Sequence, residues 1–179
     1  IILSPEPKAK RTVEGDLGVY VNMRNIVAMV GEDVLMKELE LDEPALRNLI
    51  EHHKPIPVSE LEKRFVEVLT EHATITAMNR HGGRLKHLYG PSDKKTIAEG
   101  KDLTGVKYIV GTGGALTRLP GRLDILKNIP HSNNGTDLLP NTEAEILIDN
   151  HYIMASLGVM SKKYPEIALD LMLKSMGLR

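Results

Sequence analysis

Gly105-Val106-Lys107-Tyr108-Ile109-Val110-Gly111-Thr112-Gly113-Gly114-Ala115-Leu116 is the stretch on which the fold turns. Residues 106–110 are rich in β-branched and aromatic side chains and are bounded by Gly105 and Gly111, which reads as a strand. The Gly111-Thr112-Gly113-Gly114 run that follows reads as a strand-to-helix turn. Glycine lets the backbone approach a sugar or phosphate with no Cβ in the way, and the amides opening a helix face an anion. In open α/β sheets ligands sit beyond the carboxyl ends of strands, where this turn lies. It is not a P-loop, because no Gly-Lys-Ser/Thr follows, and the dinucleotide fingerprint would need glycine in place of Leu116. A tight turn that merely packs a helix onto a strand is the competing reading.

Working outward, helical spacing dominates the flanks. The apolar positions Ile26, Val27, Val30, Val34, Leu35 and Leu39 predict a helix over residues 24–41 that runs through Gly31. Asp42 with Pro44 predicts the start of another, with Leu46, Leu49 and Ile50 on one face. Ser59 and Glu62 form a capping box for a long helix that buries Leu61, Phe65, Val68, Leu69 and Ala73 and ends near Arg80-His81-Gly82-Gly83. Residues 84–105 read as short extended pieces and turns, broken at Gly90-Pro91 and Gly100. The loop 119–142 is long enough to hide a short element near residues 123–129. Thr142 and Glu145 predict a capped helix carrying Ile146, Ile148, Asp149, Tyr152, Ala155 and Val159. Pro165 opens a last helix (Ile167, Leu171, Leu173) that Gly177 closes. Toward the start, the alternation Leu17/Val19/Val21/Met23 predicts a short strand. The outline is α/β, helix-rich and single-lobed.

Bulk properties narrow the classes. In 179 residues, 23 Lys and Arg balance 24 Asp and Glu, so nothing calls for a nucleic acid or an anionic membrane as partner. Cysteine is absent, which excludes disulfides and cysteine-based zinc sites. No apolar run approaches the roughly 20 residues of a membrane span, no secretory signal is visible, and the cytoplasm is the default. The chain begins at Ile1 rather than Met and continues through Ser4-Pro5-Glu6-Pro7-Lys8, which reads as a cut in a longer protein. Residues 1–11 are then a polar leader and residues 12–179 one lobe.

A second candidate site is Thr12-Val13-Glu14-Gly15-Asp16-Leu17-Gly18. Two carboxylates and two glycines in five residues suit a metal-bound phosphate, the acids holding Mg²⁺ directly or through water, or one of them orienting an attacking water. A polar turn in which Asp16 caps a helix explains the same residues. The seven histidines lack metalloprotease spacing and read as solvated. Arg-His-Gly-Gly at 80–83 either brings cations to a phosphate or caps a helix.

Taken together, four segments resemble one family. They are the Thr12–Gly18 segment, Arg80-His81-Gly82-Gly83, Gly100-Lys101-Asp102-Leu103-Thr104 leading through Tyr108 into Gly111-Thr112-Gly113-Gly114, and Asp149-x-x-Tyr152-x-x-Ala155-x-x-Gly158. In this order they resemble the C-terminal part of the MutL/GlmL-type reactivating factors encoded with coenzyme-B12-dependent glutamate mutase, over nearly the whole chain. The resemblance implies an RNase H-like lobe of an actin-like ATPase, lacking the N-terminal lobe, with ATP and Mg²⁺ as cofactors in the intact protein. It implies that Gly111, Thr112, Gly113 and Gly114 meet the ribose and α-phosphate. It implies too that Glu14 and Asp16 serve catalysis nearer the phosphates, Asp16 as the metal ligand. The implied role is ATP-driven, chaperone-like reactivation of an adenosylcobalamin-dependent mutase. The implied early phosphate loop has no match here, so the chain alone is expected to bind ATP weakly and not to turn it over. The competing classes are a sugar- or acid-kinase-like phosphotransferase and a non-catalytic interaction module.

Overall fold

The structure, a computed structural model, describes residues 14–89 and 94–179. The polar leader, Thr12, Val13 and the break at Gly90-Pro91 lie outside the described residues.

Four helices form the first layer. α1 (Met23–Val30) and α2 (Glu32–Leu39) replace the single helix expected over 24–41. Gly31 separates them at φ 93°, a conformation that side-chain-bearing residues avoid. α3 (Glu43–Glu51) starts as expected, with the Asp42 carboxylate accepting from the Ala45 amide at 3.0 Å and Pro44 in the first turn. α4 (Glu60–His81) carries the expected capping box: Ser59 Oγ accepts from the Glu62 amide at 3.1 Å, and Glu62 accepts from the Ser59 and Val58 amides at 2.9 and 2.7 Å. Those two amides, Ser59 first, hold the Glu62 carboxyl down at about 2.

Leu17, Ile26, Leu35, Leu46 and Phe65 meet in one core cluster between these helices. Every residue from Phe65 to Thr70 is buried, so α4 is covered on more than one face. Leu61, expected inside, is exposed because it lies in the first turn, before that covering begins. The strand expected near residues 17–23 is absent. Gly15–Leu17 form a 3-10 turn, the Asn22 side-chain amide donates to Gly15 O at 2.6 Å, and Val21 is 84% exposed. Among the described residues no neighbouring strand supports the alternation, and local hydrogen bonds set the backbone instead.

The second layer is α/β. β1 (Arg84–Tyr89) and β2 (Lys94–Glu99) pair antiparallel, from Arg84↔Glu99 to Tyr89↔Lys94. β3 (Tyr108–Gly111) begins two residues later than the sequence suggests, after Val106 N donates to Leu103 O in a turn. It pairs in parallel with β4 (Glu145–Ile148), in register from Tyr108↔Glu145 to Gly111↔Ile148. β4 replaces the helix expected from the Thr142/Glu145 pattern. Ile146-Leu147-Ile148 is a continuous apolar run of the kind found in parallel sheets, with Leu147 and Ile148 buried, and pairing with β3 overrides the local capping signal.

Between β3 and β4 the chain crosses through α5 (Gly114–Arg118) and α6 (Arg122–His131), the latter containing the element expected near 123–129. Leu126 and Ile129 of α6 pack on Ile148, Ile109 and Met78, the last from α4. α4 therefore serves both cores and ties the layers together. α7 (Met154–Met160) and α8 (Pro165–Ser175) end the chain, α8 opening at Pro165 and closing at Gly177 (φ 72°) as expected. Ile167 and Leu171, however, are exposed, and Ala168 and Ser175 are the buried positions of α8. The fold is mixed α/β and helix-rich, and among the described residues neither sheet is wider than two strands.

Candidate functional site

The glycine turn divides between a structural half and an open half. Gly111 is buried as the last residue of β3; a Cβ there would lie 2.6 Å from Leu126 Cδ1 and 3.0 Å from Ile148 Cδ1. Its lack of a side chain lets α6 pack on the β3–β4 pair, and it faces the core rather than a ligand. Gly113 sits at φ 90°, and Gly114 starts α5; a Cβ on either would meet nothing within 4 Å. Gly113, Gly114 and the exposed Thr112 border a groove of about 370 Å³, together with Thr70, Ala77 and Glu14.

Glu14 and Asp16 are held by one cation. Arg80, in the last turn of α4, donates through Nη1 to Glu14 Oε2 at 2.8 Å and to Asp16 Oδ2 at 2.9 Å. The hydrogen bond from Arg80, with the backbone amide of Asp16, keeps the Asp16 carboxyl below its ordinary range, and both carboxylates raise Arg80 in return. Arg80 of Arg-His-Gly-Gly thus meets carboxylates here. Glu14 lines the groove; Asp16 is not among its lining residues. Here the two acids are paired with the guanidinium that lies between them. Among the described residues no three His, Cys, Asp or Glu side chains are grouped to hold a metal ion.

Gly82-Gly83 and Lys101-Asp102-Leu103-Thr104 come together as a backbone crossing. The Gly83 amide donates to Lys101 O at 2.6 Å, and a Cβ on Gly83 would meet Glu99 O at 2.6 Å. Asp102 accepts from the Thr104 amide and hydroxyl at 2.9 and 2.6 Å, closing the turn that leads into β3. These motif residues position the site and do not line it.

A larger cavity of about 600 Å³ lies beside α5 and shares Val19, Gly114 and Ala115 with the groove. Its walls are mostly hydrocarbon, from Ile56, Pro57, Val66 and Leu119, with the Tyr20 and His53 rings 5.6 Å apart between centroids. Ile56 is 76% exposed. Sequence reasoning missed this cavity; Ile56 between two prolines, an apolar residue on a stiff loop, was the signal available.

The MutL family model matches residues 1–176. The chain belongs to the MutL family, the one associated with glutamate mutase. It is 35% identical over 173 residues to Protein MutL of Clostridium tetanomorphum, an alignment that takes in 94% of this chain and 37% of the relative. The chain thus spans little more than a third of that relative's length. No solved structure gives a significant match. Among the described residues of this MutL-family chain, no helix is long and apolar enough to cross a membrane.

Proposed function

We propose that the groove at Thr112, Gly113 and Gly114 binds ATP, and that this chain supplies the adenosine-binding half of an actin-like ATPase cleft. The observation that carries the reading is a junction. The open half of the glycine turn borders two mainly apolar recesses that share Gly114 and Ala115, a groove lined in part by Glu14, Thr70, Thr74 and Thr112, and a larger cavity at Tyr20, His53 and Ile56. A nucleotide has that division, an aromatic base joined through a sugar to an anion. The base suits the cavity beside Tyr20, His53 and Ile56, whose exposed hydrocarbon it would cover, and the cavity volume is in the range of small-molecule sites. The sugar and first phosphate suit Gly113 and Gly114, where the backbone is bare. Glu14, held in place by Arg80, faces the phosphate side, where a Mg²⁺ carried by the nucleotide would lie between the two anions.

ATP, when bound, supplies the phosphoanhydride whose cleavage could drive a domain motion. The residues here bind and orient it, and positioning is most of phosphoryl-transfer catalysis. In the longer protein the reading extends to ATP-dependent reactivation of an adenosylcobalamin-dependent mutase of the glutamate mutase type, on the strength of family membership. The test is phosphate release by the full-length protein with and without inactivated glutamate mutase, together with recovery of mutase activity. Hydrolysis that restores the mutase supports the reading. ATP binding with no recovery under any nucleotide condition overturns the reactivation role.

A further inference from the structure

Asp149 directly follows β4 and is 0% exposed, yet it is a carboxylate. Both of its oxygens are saturated. Oδ2 accepts from Thr112 Oγ1 at 3.0 Å and from the Met154 amide at 2.8 Å. Oδ1 accepts from Ser175 Oγ at 2.6 Å and from the Ile153 amide at 3.2 Å. The donors come from three places: the glycine turn, the start of α7 and the end of α8. The backbone repeats the linkage, with the Asp149 amide donating to Gly111 O at 2.9 Å and the Asn150 amide to Ser175 O at 3.1 Å. Tyr152 is held at φ 55°, which a residue with a side chain adopts only when its surroundings fix it.

We propose that Asp149 is a positioning residue that sets the Thr112 hydroxyl in the groove and couples the glycine turn to the α7–α8 hairpin. This inference rests on the reading of the turn as a nucleotide site. A buried carboxylate tolerates the loss of a donor poorly, because the freed lone pair has no water to meet. A ligand that moves Thr112 therefore shifts the balance among the other three donors. In turn, loss of the Ser175 donor loosens Thr112 without altering any residue of the groove. Burial acts to raise the Asp149 carboxyl, but the Ser175, Met154, Ile153 and Thr112 donors together outweigh it, so the group stays ionised as the network requires.

The experiment compares wild type and Ser175→Ala by calorimetric titration with Mg-ATP, and follows amide hydrogen exchange in wild type with and without Mg-ATP. The expected results are about three- to tenfold weaker binding in Ser175→Ala, and nucleotide-dependent slowing of exchange at Ile153, Met154 and the last turn of α8. Wild-type binding with protection confined to residues 111–116, and unchanged affinity in Ser175→Ala, overturns the coupling and leaves the nucleotide site standing. A staple of purely structural role would give that second pattern with a lowered melting temperature. Should Ser175→Ala not fold, the exchange measurement on wild type decides alone. No binding or protection by wild type rejects the nucleotide site and the positioning role together.

Discussion

Two glycines three residues apart should respond to alanine with opposite signs. In Gly111→Ala the new methyl would lie 2.6 Å from Leu126 Cδ1 and 3.0 Å from Ile148 Cδ1. Leu126 and Ile148 are both buried in the second core cluster, so neither can swing into solvent. Overpacking of this kind costs about 1–3 kcal/mol. Gly114→Ala meets nothing within 4 Å and does not sit at positive φ. Placed at the first residue of α5, it should be neutral or stabilise by about 0.5 kcal/mol, mostly by restricting the unfolded chain. The same methyl would project into the proposed nucleotide groove and should weaken Mg-ATP binding about tenfold, or about 1.4 kcal/mol. Urea denaturation gives the stabilities, and for a chain of this size each kcal/mol should move the melting temperature by about 2–4 °C. Calorimetric titration gives the affinities. If Gly114→Ala is the more destabilised variant, or binds Mg-ATP as wild type does, the division of the turn into packing and open halves is wrong.

Further expectations concern the frame around the site. Gly83→Ala should destabilise more than Gly111→Ala in the same urea series, because its Cβ would meet backbone on three sides, at Glu99 O, Gly100 C and Lys101 O, and nothing flexible can yield. Phe65→Ala should cost about 3–5 kcal/mol, as a cavity in a core side chain that is 1% exposed. Ser59→Ala should cost about 1 kcal/mol through loss of the cap. Glu62, lowered in the folded state, contributes stability that is present above its ordinary value of 4.5 and is lost as pH falls toward about 2. An acid titration of Glu62→Gln should therefore be flatter than wild type between those values, and identical curves would count against the capping account.

Helices with strong punctuation were readable, and their limits held: Asp42-x-Pro44, Ser59-x-x-Glu62 and Pro165 all open helices where expected. Failures came where a distant partner decides. Nothing local tells Glu145-Ile146-Leu147-Ile148 that β3 lies alongside, so its capping-box pattern misled. Residues 17–23 failed the other way, since their alternation finds no strand to pair with among the described residues. In the site, bare backbone at Gly113 and Gly114 was legible. The packing role of Gly111 was not, because it depends on Leu126 and Ile148 arriving from other elements. Glu14 and Asp16 were picked out as carboxylates, but Arg80 reaches them across more than sixty positions of sequence. Asp149 stands in a recognisable motif, where the local spacing predicts a helix. Its role as a four-donor clamp needs Thr112 and Ser175 to be seen beside it.

The central claim is tested most directly by titrating the ¹⁵N-labelled chain with Mg-ATP and following each backbone amide by NMR, which registers weak binding as well as strong. The account predicts saturable shifts concentrated at residues 112–116, at Val19 and Tyr20, and at His53, Lys54 and Ile56. Saturable shifts confined to another surface, or none at ATP concentrations far above those in cells, would contradict it.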